Sequence, residues 1–263
     1  MKGNHGKKIL TISLSAMLIL VAVFSLTGCS KKLYTYGDIV YYRSLGFFEY
    51  KITVVGLSEE GKTKEEGEVP DAVYKKHRFD LKTAKIGKSK HWESDKLKKL
   101  YLPFGSSDKI DTKLFDSCPN LEKVILYKNH DTNIKISTKN NPDLKVFVSG
   151  KNYDEEIYHG SNLYKRSGEG YADIYFANVA FMYNYDRAKN NGYFFIDDCE
   201  YGGLVRKPNL EPWRNGFINF LGWGTFNNRY WDFDSDKMPD AKVIDGFEQY
   251  QILEFYAEWE GLW

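Results

Sequence analysis

The chain is poor in the residues that commit a sequence to covalent or metal chemistry. Three cysteines and five histidines stand among 263 residues. Cys29, Cys118 and Cys199 lie in separate segments, whereas a disulfide-framed domain needs a dense set of bridged cysteines. Cys118 and Cys199 therefore read as small buried apolar residues. Beyond the first segment the histidines are His77, His91, His130 and His159. No two stand at i, i+4 spacing, so a zinc site has no support in sequence. Asp232, Asp234 and Asp236 resemble the start of a calcium loop, but Lys237 stands where glycine is needed and Val243 where glutamate is needed. Gly105-Ser106 lacks the flanks of a nucleophile elbow, and no Gly-rich phosphate loop is present. The reading is non-enzymatic, with no cofactor and no metal. The formal charge is +1, which gives no electrostatic reason to expect nucleic acid.

Long apolar runs are also scarce: there is one, at the start. Met1 to Lys8 carries Lys2, Lys7 and Lys8 and no acid, and Ile9 to Leu26 is apolar apart from Thr11, Ser13, Ser15 and Ser25. A short basic stretch followed by an apolar run reads as an export signal. A retained spanning helix competes with that reading, since about 20 apolar residues suffice to span. Leu26-Thr27-Gly28-Cys29 resembles the lipobox of bacterial lipoproteins. The resemblance implies cleavage after Gly28 and acylation of the Cys29 thiol. The chain would then be held by lipid on the outer face of the bacterial membrane and exposed at the cell surface. Several acyl chains hold far more firmly than one.

Removing residues 1–28 takes away three lysines and no acid, turning 37 basic against 36 acidic residues into 34 against 36. The remainder is long enough for one or two domains. Its aromatic content, 20 Tyr and 17 Phe in the whole chain, favours strands.

A repeat is present. Leu97-Lys98-Lys99-Leu100-Tyr101-Leu102-Pro103 is echoed by Leu121-Glu122-Lys123-Val124-Ile125-Leu126 and by Leu144-Lys145-Val146-Phe147-Val148. The interval is roughly two dozen residues, within the range of leucine-rich repeats. Ile110, Leu114, Phe115 and Cys118 lie between the first two and would fill the opposite wall of a coil. The pattern of strand, Pro, Ile and then Phe-x-x-Cys-x-x-Leu resembles the BspA-type leucine-rich repeat. Tyr50–Gly56 and Val69-Pro70 look like that family's opening strand and a degenerate first turn. Strand alternation sends Leu100, Val124 and Val146 inward, with Leu102, Leu126 and Val148 in the next inward column. It sends Tyr101, Ile125 and Phe147 outward, with Lys99, Lys123 and Lys145 beside them. Two readings of that outward row stay open. It stacks or is covered by the C-terminal part, or it is a partner-binding strip of aromatics ringed by charge.

Val179–Tyr185 and Tyr193–Cys199 read as strands. After them come Tyr201-Gly202-Gly203, Lys207-Pro208, Pro212, Arg214-Asn215-Gly216-Phe217, Phe220-Leu221-Gly222-Trp223 and, at the end, Tyr256-Ala257-Glu258-Trp259. That order resembles the internalin-type B repeat, a small β-grasp-like module of bacterial surface proteins. Phe217 replaces the usual Tyr, and Lys237 to Gln251 is a longer connection than usual. Trp223 and Trp259 are large enough to dominate the core of such a module.

The expected architecture is mainly β, a short leucine-rich-repeat solenoid followed by a small β-grasp-like domain. Residues 1–28 are the signal, 29–44 a lipid-anchored linker, 45–150 the repeats, 151–177 a cap and linker, and 178–263 the C-terminal module. Both resemblances imply adhesion or binding of a protein or glycan. The partners expected are the membrane, through the N-terminal lipid, and that ligand, with no nucleic acid. A substrate-binding or accessory hydrolase lipoprotein of the envelope is the alternative.

Overall fold

The computed structural model describes residues 32–45, 50–75, 78–103, 110, 113–127, 134–149, 162–185, 188, 192–212, 214, 218–226, 230–240, 242–244, 247–249 and 251–261. The expected signal and lipobox, His77, His130, His159 and Gly216 lie outside them. The described chain is mainly β, with one short 3₁₀ turn at Gly61–Thr63 and several sheets.

The first sheet is built from β1 (Leu33–Tyr36), β2 (Ile39–Leu45), β3 (Tyr50–Leu57), β5 (Ala72–Lys75) and β6 (Arg78–His91), in the order β1-β2-β3-β6-β5. Tyr50–Gly56 therefore pairs with β2 and β6 and does not open the repeated stack. The close approach of β3 to β6 depends on Gly56, where a Cβ would lie 2.3 Å from that of His91.

The stack begins at β4 (Glu66–Glu68), just before Val69-Pro70. It continues through β7 (Lys99–Leu102), β8 (Lys123–Leu126), β9 (Lys145–Val148) and β11 (Asp173–Phe176), all parallel. β10 (Leu163–Lys165) closes it by pairing antiparallel with β11. The stretch read as cap and linker thus supplies one more parallel strand and its closing edge.

The register aligns Gly67, Leu100, Val124, Val146 and Ile174 in one row. Leu100, Leu102, Val124, Leu126, Val146 and Val148 all face one core, which Ile110, Leu114, Phe115, Cys118, Ile134 and Ile136 from the return segments complete. Ile39, Ile52 and Val54 of the first sheet close the same core. Hydrogen bonds tie successive returns. Three residues before Leu97, Leu121 and Leu144 stand Ser94, Cys118 and Asn141, and each donates to a carbonyl one turn earlier. Ser94 Oγ reaches Lys62 O at 3.0 Å, Cys118 Sγ reaches Trp92 O at 2.8 Å, and Asn141 Nδ2 reaches Phe115 O at 3.1 Å. A buried carbonyl left without a donor is costly, so the donor types, unlike one another in sequence, serve one purpose. Cys118 is buried as expected, but it is a donor as well as a filler.

The C-terminal sheet contains β12 (Val179–Met182), β13 (Tyr193–Asp197), β14 (Phe220–Gly224) and β17 (Leu253–Trp259), in the order β13-β12-β17-β14. Its first and last strands lie parallel at the centre, and β13 and β14 pair antiparallel outside them. A small hairpin, β15 (Lys242–Ile244) with β16 (Phe247–Gln249), occupies the long connection. Gly202, at φ +73°, makes the turn after β13, a conformation that favours glycine. Trp223 and Trp259 are buried, and Trp259 Nε1 donates to Tyr183 O at 2.8 Å. Phe181 stacks on Phe255 with ring centres 4.7 Å apart, and Trp223 meets Phe181 edge-on at 5.0 Å.

Candidate functional site

The row singled out in the sequence is where the two halves of the described chain meet. Tyr101 and Ile125 have no exposed surface and Phe147 has 2%. They belong to the second core, together with Val179, Phe181, Phe195, Ile196, Trp223 and Phe255 of the C-terminal sheet. The expectation of an exposed binding strip is therefore corrected in favour of the covered reading. The physical reason is area: a flat apolar row in water is unfavourable, and the C-terminal sheet has an aromatic face to match it. Phe195 stacks on Tyr101 at 5.4 Å and meets Tyr127 at a tilt, with ring centres 4.9 Å apart. Phe147 lies 5.6 Å from Tyr175, which extends the row by one strand.

Two of the flanking lysines are held in ion pairs, and the third, Lys145, is exposed. Lys99 Nζ is 2.5 Å from the Asp197 carboxylate and donates to Asp198 O at 2.9 Å. Lys123 Nζ pairs with Asp198 Oδ2 at 2.7 Å. Lys145, on the next strand, has its ammonium 5.4 Å from the centre of the Tyr175 ring. The Tyr101 hydroxyl donates to Asp197 Oδ1 at 3.1 Å. The Arg206 guanidinium lies 4.1 Å from the centre of the Tyr101 ring and 5.9 Å from that of Phe195, and it also pairs with Glu68 at 2.8 Å. Asn209 Nδ2 donates to the same Glu68 oxygen at 2.6 Å.

Burial sets the titration of this cluster. It raises the Tyr101 phenol, and the Asp197 charge raises it further, so the hydroxyl stays a donor. Burial raises Glu68 and Asp198 above their ordinary values, with Arg206 and Lys123 respectively opposing it. At Lys123 burial works against the charged form, but the carboxylates of Asp198, Glu200 and Asp197 together outweigh it and the ammonium is held above its ordinary value. Glu68, Asp197, Asp198, Arg206 and Asn209 had no signal in the sequence. Glu68 precedes Val69-Pro70, Asp197 and Asp198 end the strand Tyr193–Cys199, and Arg206 and Asn209 flank Lys207-Pro208, but nothing in those patterns brings the five together.

Other candidates are structural. Asp232, Asp234 and Asp236 close a turn on themselves. Asp232 N donates to Asp236 Oδ2 at 2.9 Å, Asp234 N donates to Asp232 Oδ1 at 3.0 Å, and Ser235 Oγ donates to Asp232 Oδ2 at 2.7 Å. The Ser235 and Asp234 donors lower the Asp232 carboxyl below its ordinary value. Among the described residues, no group of three or more His, Cys, Asp or Glu converges to hold a metal ion. Cys118 and Cys199 are both free thiols. Cys118 is buried and Cys199 is half-buried, which departs from the expectation of two buried cysteines. Among the described residues, no helix is long and apolar enough to cross a membrane. Large apolar side chains that do reach water include Leu221 at the edge of the C-terminal sheet and Phe226 and Tyr230 in the segment after it.

Comparison with known proteins gives no matching family model, no matching curated protein and no matching solved structure.

Proposed function

We propose that the chain is a non-enzymatic lipoprotein of the bacterial cell surface, anchored by lipid on Cys29, that serves in adhesion or in binding a protein or glycan. In this reading residues 66–176 are a short leucine-rich-repeat solenoid of BspA type. Residues 178–263 are an internalin-type B repeat of β-grasp character, docked on the solenoid. The observation that carries the reading is the in-register parallel ladder from Glu66 to Phe176 with its donor column of Ser94, Cys118 and Asn141. A coil of this kind is a display scaffold in which each turn packs only on its neighbours. A mixed sheet with its first and last strands parallel at the centre supports the β-grasp assignment. Because the row of Tyr101, Ile125 and Phe147 is closed, ligand contact falls to surfaces that the C-terminal module leaves open. Lipobox residues Leu26, Thr27 and Gly28 direct processing.

The test has two arms. In cells, Cys29→Ala should abolish fatty-acid labelling and leave the longer precursor; an acylated mature form in that variant would sink the anchor. In vitro, the mature chain applied to a panel of glycans and proteins should bind saturably and leave the bound molecule chemically unchanged. Turnover of a panel member would instead favour the accessory hydrolase reading.

A further inference from the structure

Three tyrosines of the parallel stack have a lysine ammonium beside them at nearly one spacing. Lys99 Nζ is 5.2 Å from the centre of the Tyr101 ring, Lys145 Nζ is 5.4 Å from that of Tyr175, and Lys135 Nζ is 5.3 Å from that of Tyr171. In the first pair the two donors hold one carboxylate: Asp197 Oδ1 accepts from the Tyr101 hydroxyl and pairs with Lys99. The other two pairs hold none. Among the described residues, neither Lys135 nor Lys145 has an ion pair, and neither Tyr171 nor Tyr175 has a hydrogen bond through its hydroxyl.

The two open pairs share one surface. Along residues 171–176 the side chains alternate, with Ala172, Ile174 and Phe176 in the core of the stack, so Tyr171, Asp173 and Tyr175 point outward. This is the side on which the C-terminal sheet closes over Tyr101, Ile125 and Phe147, because Tyr175 stands in register with Phe147 and Asp173 with Lys145. The cover ends at β11. Phe147 is 2% exposed, Tyr175 is half-buried and Tyr171 is 36% exposed. Lys135 and Lys145 are exposed. The docked face therefore continues past its cover, and its next two donor pairs are open to water. Burial, helped by the Asp173 charge, raises the Tyr175 phenol above its ordinary value, so its hydroxyl stays a donor. The acids nearby do not fill the pairs. Asp173 accepts from Ser167 N at 2.9 Å and pairs with Arg166 at 3.4 Å, while Asp143 and Glu169 stand exposed in turns.

We infer that the outer side of β11, with Lys135 and Lys145, docks an extended acidic segment of a partner protein, one carboxylate at Tyr175 and Lys145 and a second at Tyr171 and Lys135. The partner's chemistry follows from the pair that is filled, whose acceptor is an aspartate side chain presented by a strand, Asp197 of β13. Tyr171 and Tyr175 stand four residues apart, about 13 Å at about 3.3 Å per residue, so the two acids are four residues apart in the partner strand as well. Asp173 lies between them and disfavours a third acid at the midpoint, since like charges directly opposite repel. The inference deepens the binding reading given above and rests on it, naming one surface that the C-terminal module leaves open.

The test titrates the mature chain from residue 29, made without acylation and containing the whole compact unit from Leu33 to Trp263, into the peptide Thr-Asp-Val-Thr-Val-Asp-Thr, followed by NMR of the peptide. Saturable binding that salt weakens is expected. An exposed ion pair strengthens binding by at most about fivefold. Asparagine in place of both aspartates, or K135Q/K145Q in the protein, should therefore weaken binding about tenfold. Setting the aspartates two residues apart leaves one pair unfilled and should cost about threefold. Y171F/Y175F, which keeps both rings, should cost about fivefold. K96Q/K139Q, exposed lysines elsewhere, should cost nothing. No binding of the peptide, equal binding of either altered peptide, or equal loss in both lysine variants would overturn the inference. So would binding of an acidic polysaccharide, with the same lysine dependence, in place of the peptide. The two readings fail separately. A panel member bound equally by the parent and K135Q/K145Q, with no binding of the peptide, refutes this face alone, whereas a chain that binds neither the peptide nor any panel member refutes both.

Discussion

Replacing Tyr101 measures how firmly the C-terminal module is held on the parallel stack. The side chain is fully buried, its ring contacts both Phe195 and the Arg206 guanidinium, and its hydroxyl is on Asp197. Tyr101→Ser removes the ring and leaves a cavity between two sheets, a change that costs about 3–5 kcal/mol in well-packed cores. Arg206 keeps Glu68 as a partner, so the lost cation–π contact adds only about 1 kcal/mol. Tyr101→Phe keeps the ring and deletes one hydrogen bond to a carboxylate, worth about 1.5–3 kcal/mol. Lys99 and the Asp198 N–H still serve that carboxylate, so the lower end of the range applies. Urea unfolding of the mature chain, followed by tryptophan fluorescence, reads both. With a slope of about 3 kcal/mol/M, the serine variant should unfold more than 1 M earlier than the parent and the phenylalanine variant about 0.5 M earlier. A serine variant that unfolds with the parent would place Tyr101 at an exposed surface and refute the docked arrangement.

The Glu68–Arg206 pair should behave unlike a surface ion pair. Glu68 is raised by burial above its ordinary 4.5, so the folded state binds its proton more tightly than the unfolded one. Its contribution to stability therefore falls as pH rises from 4.5 through the raised value. Glu68→Gln should be neutral or stabilising at pH 7, and its difference from the parent should shrink below pH 4.5. Arg206→Met, which strands the buried carboxylate, should cost about 3–5 kcal/mol at pH 7; thermal melts across pH give both, and a strongly destabilised Glu68→Gln would contradict the sign. The two thiols should differ in kinetics. Burial pushes both up to about 11, so a thiol reagent should label half-buried Cys199 slowly in the folded chain and Cys118 only after denaturation. Equal rates, or no free thiol in denaturant, would contradict the packing.

Periodicity in the sequence was enough to determine the strands at Lys99–Leu102, Lys123–Leu126 and Lys145–Val148 and which of their residues face inward. A two-residue alternation admits only one assignment once Leu100, Val124 and Val146 are aligned. The scarcity of cysteine and histidine and the paired tryptophans of the C-terminal stretch were legible for the same reason, since each is a local property of the chain. Asp173–Phe176 was missed because its strand is short and the stretch before it breaks the repeat's spacing. Tyr50–Gly56 was assigned to the wrong sheet because an alternating strand does not name its partner. What only the tertiary structure decided is the fate of the outward row. Alternation tells which side of a strand a residue occupies, but whether water or another sheet lies on that side depends on segments far along the chain. Phe195, Asp197, Asp198 and Arg206 close over Tyr101 from about a hundred residues away, a distance over which no local pattern carries information.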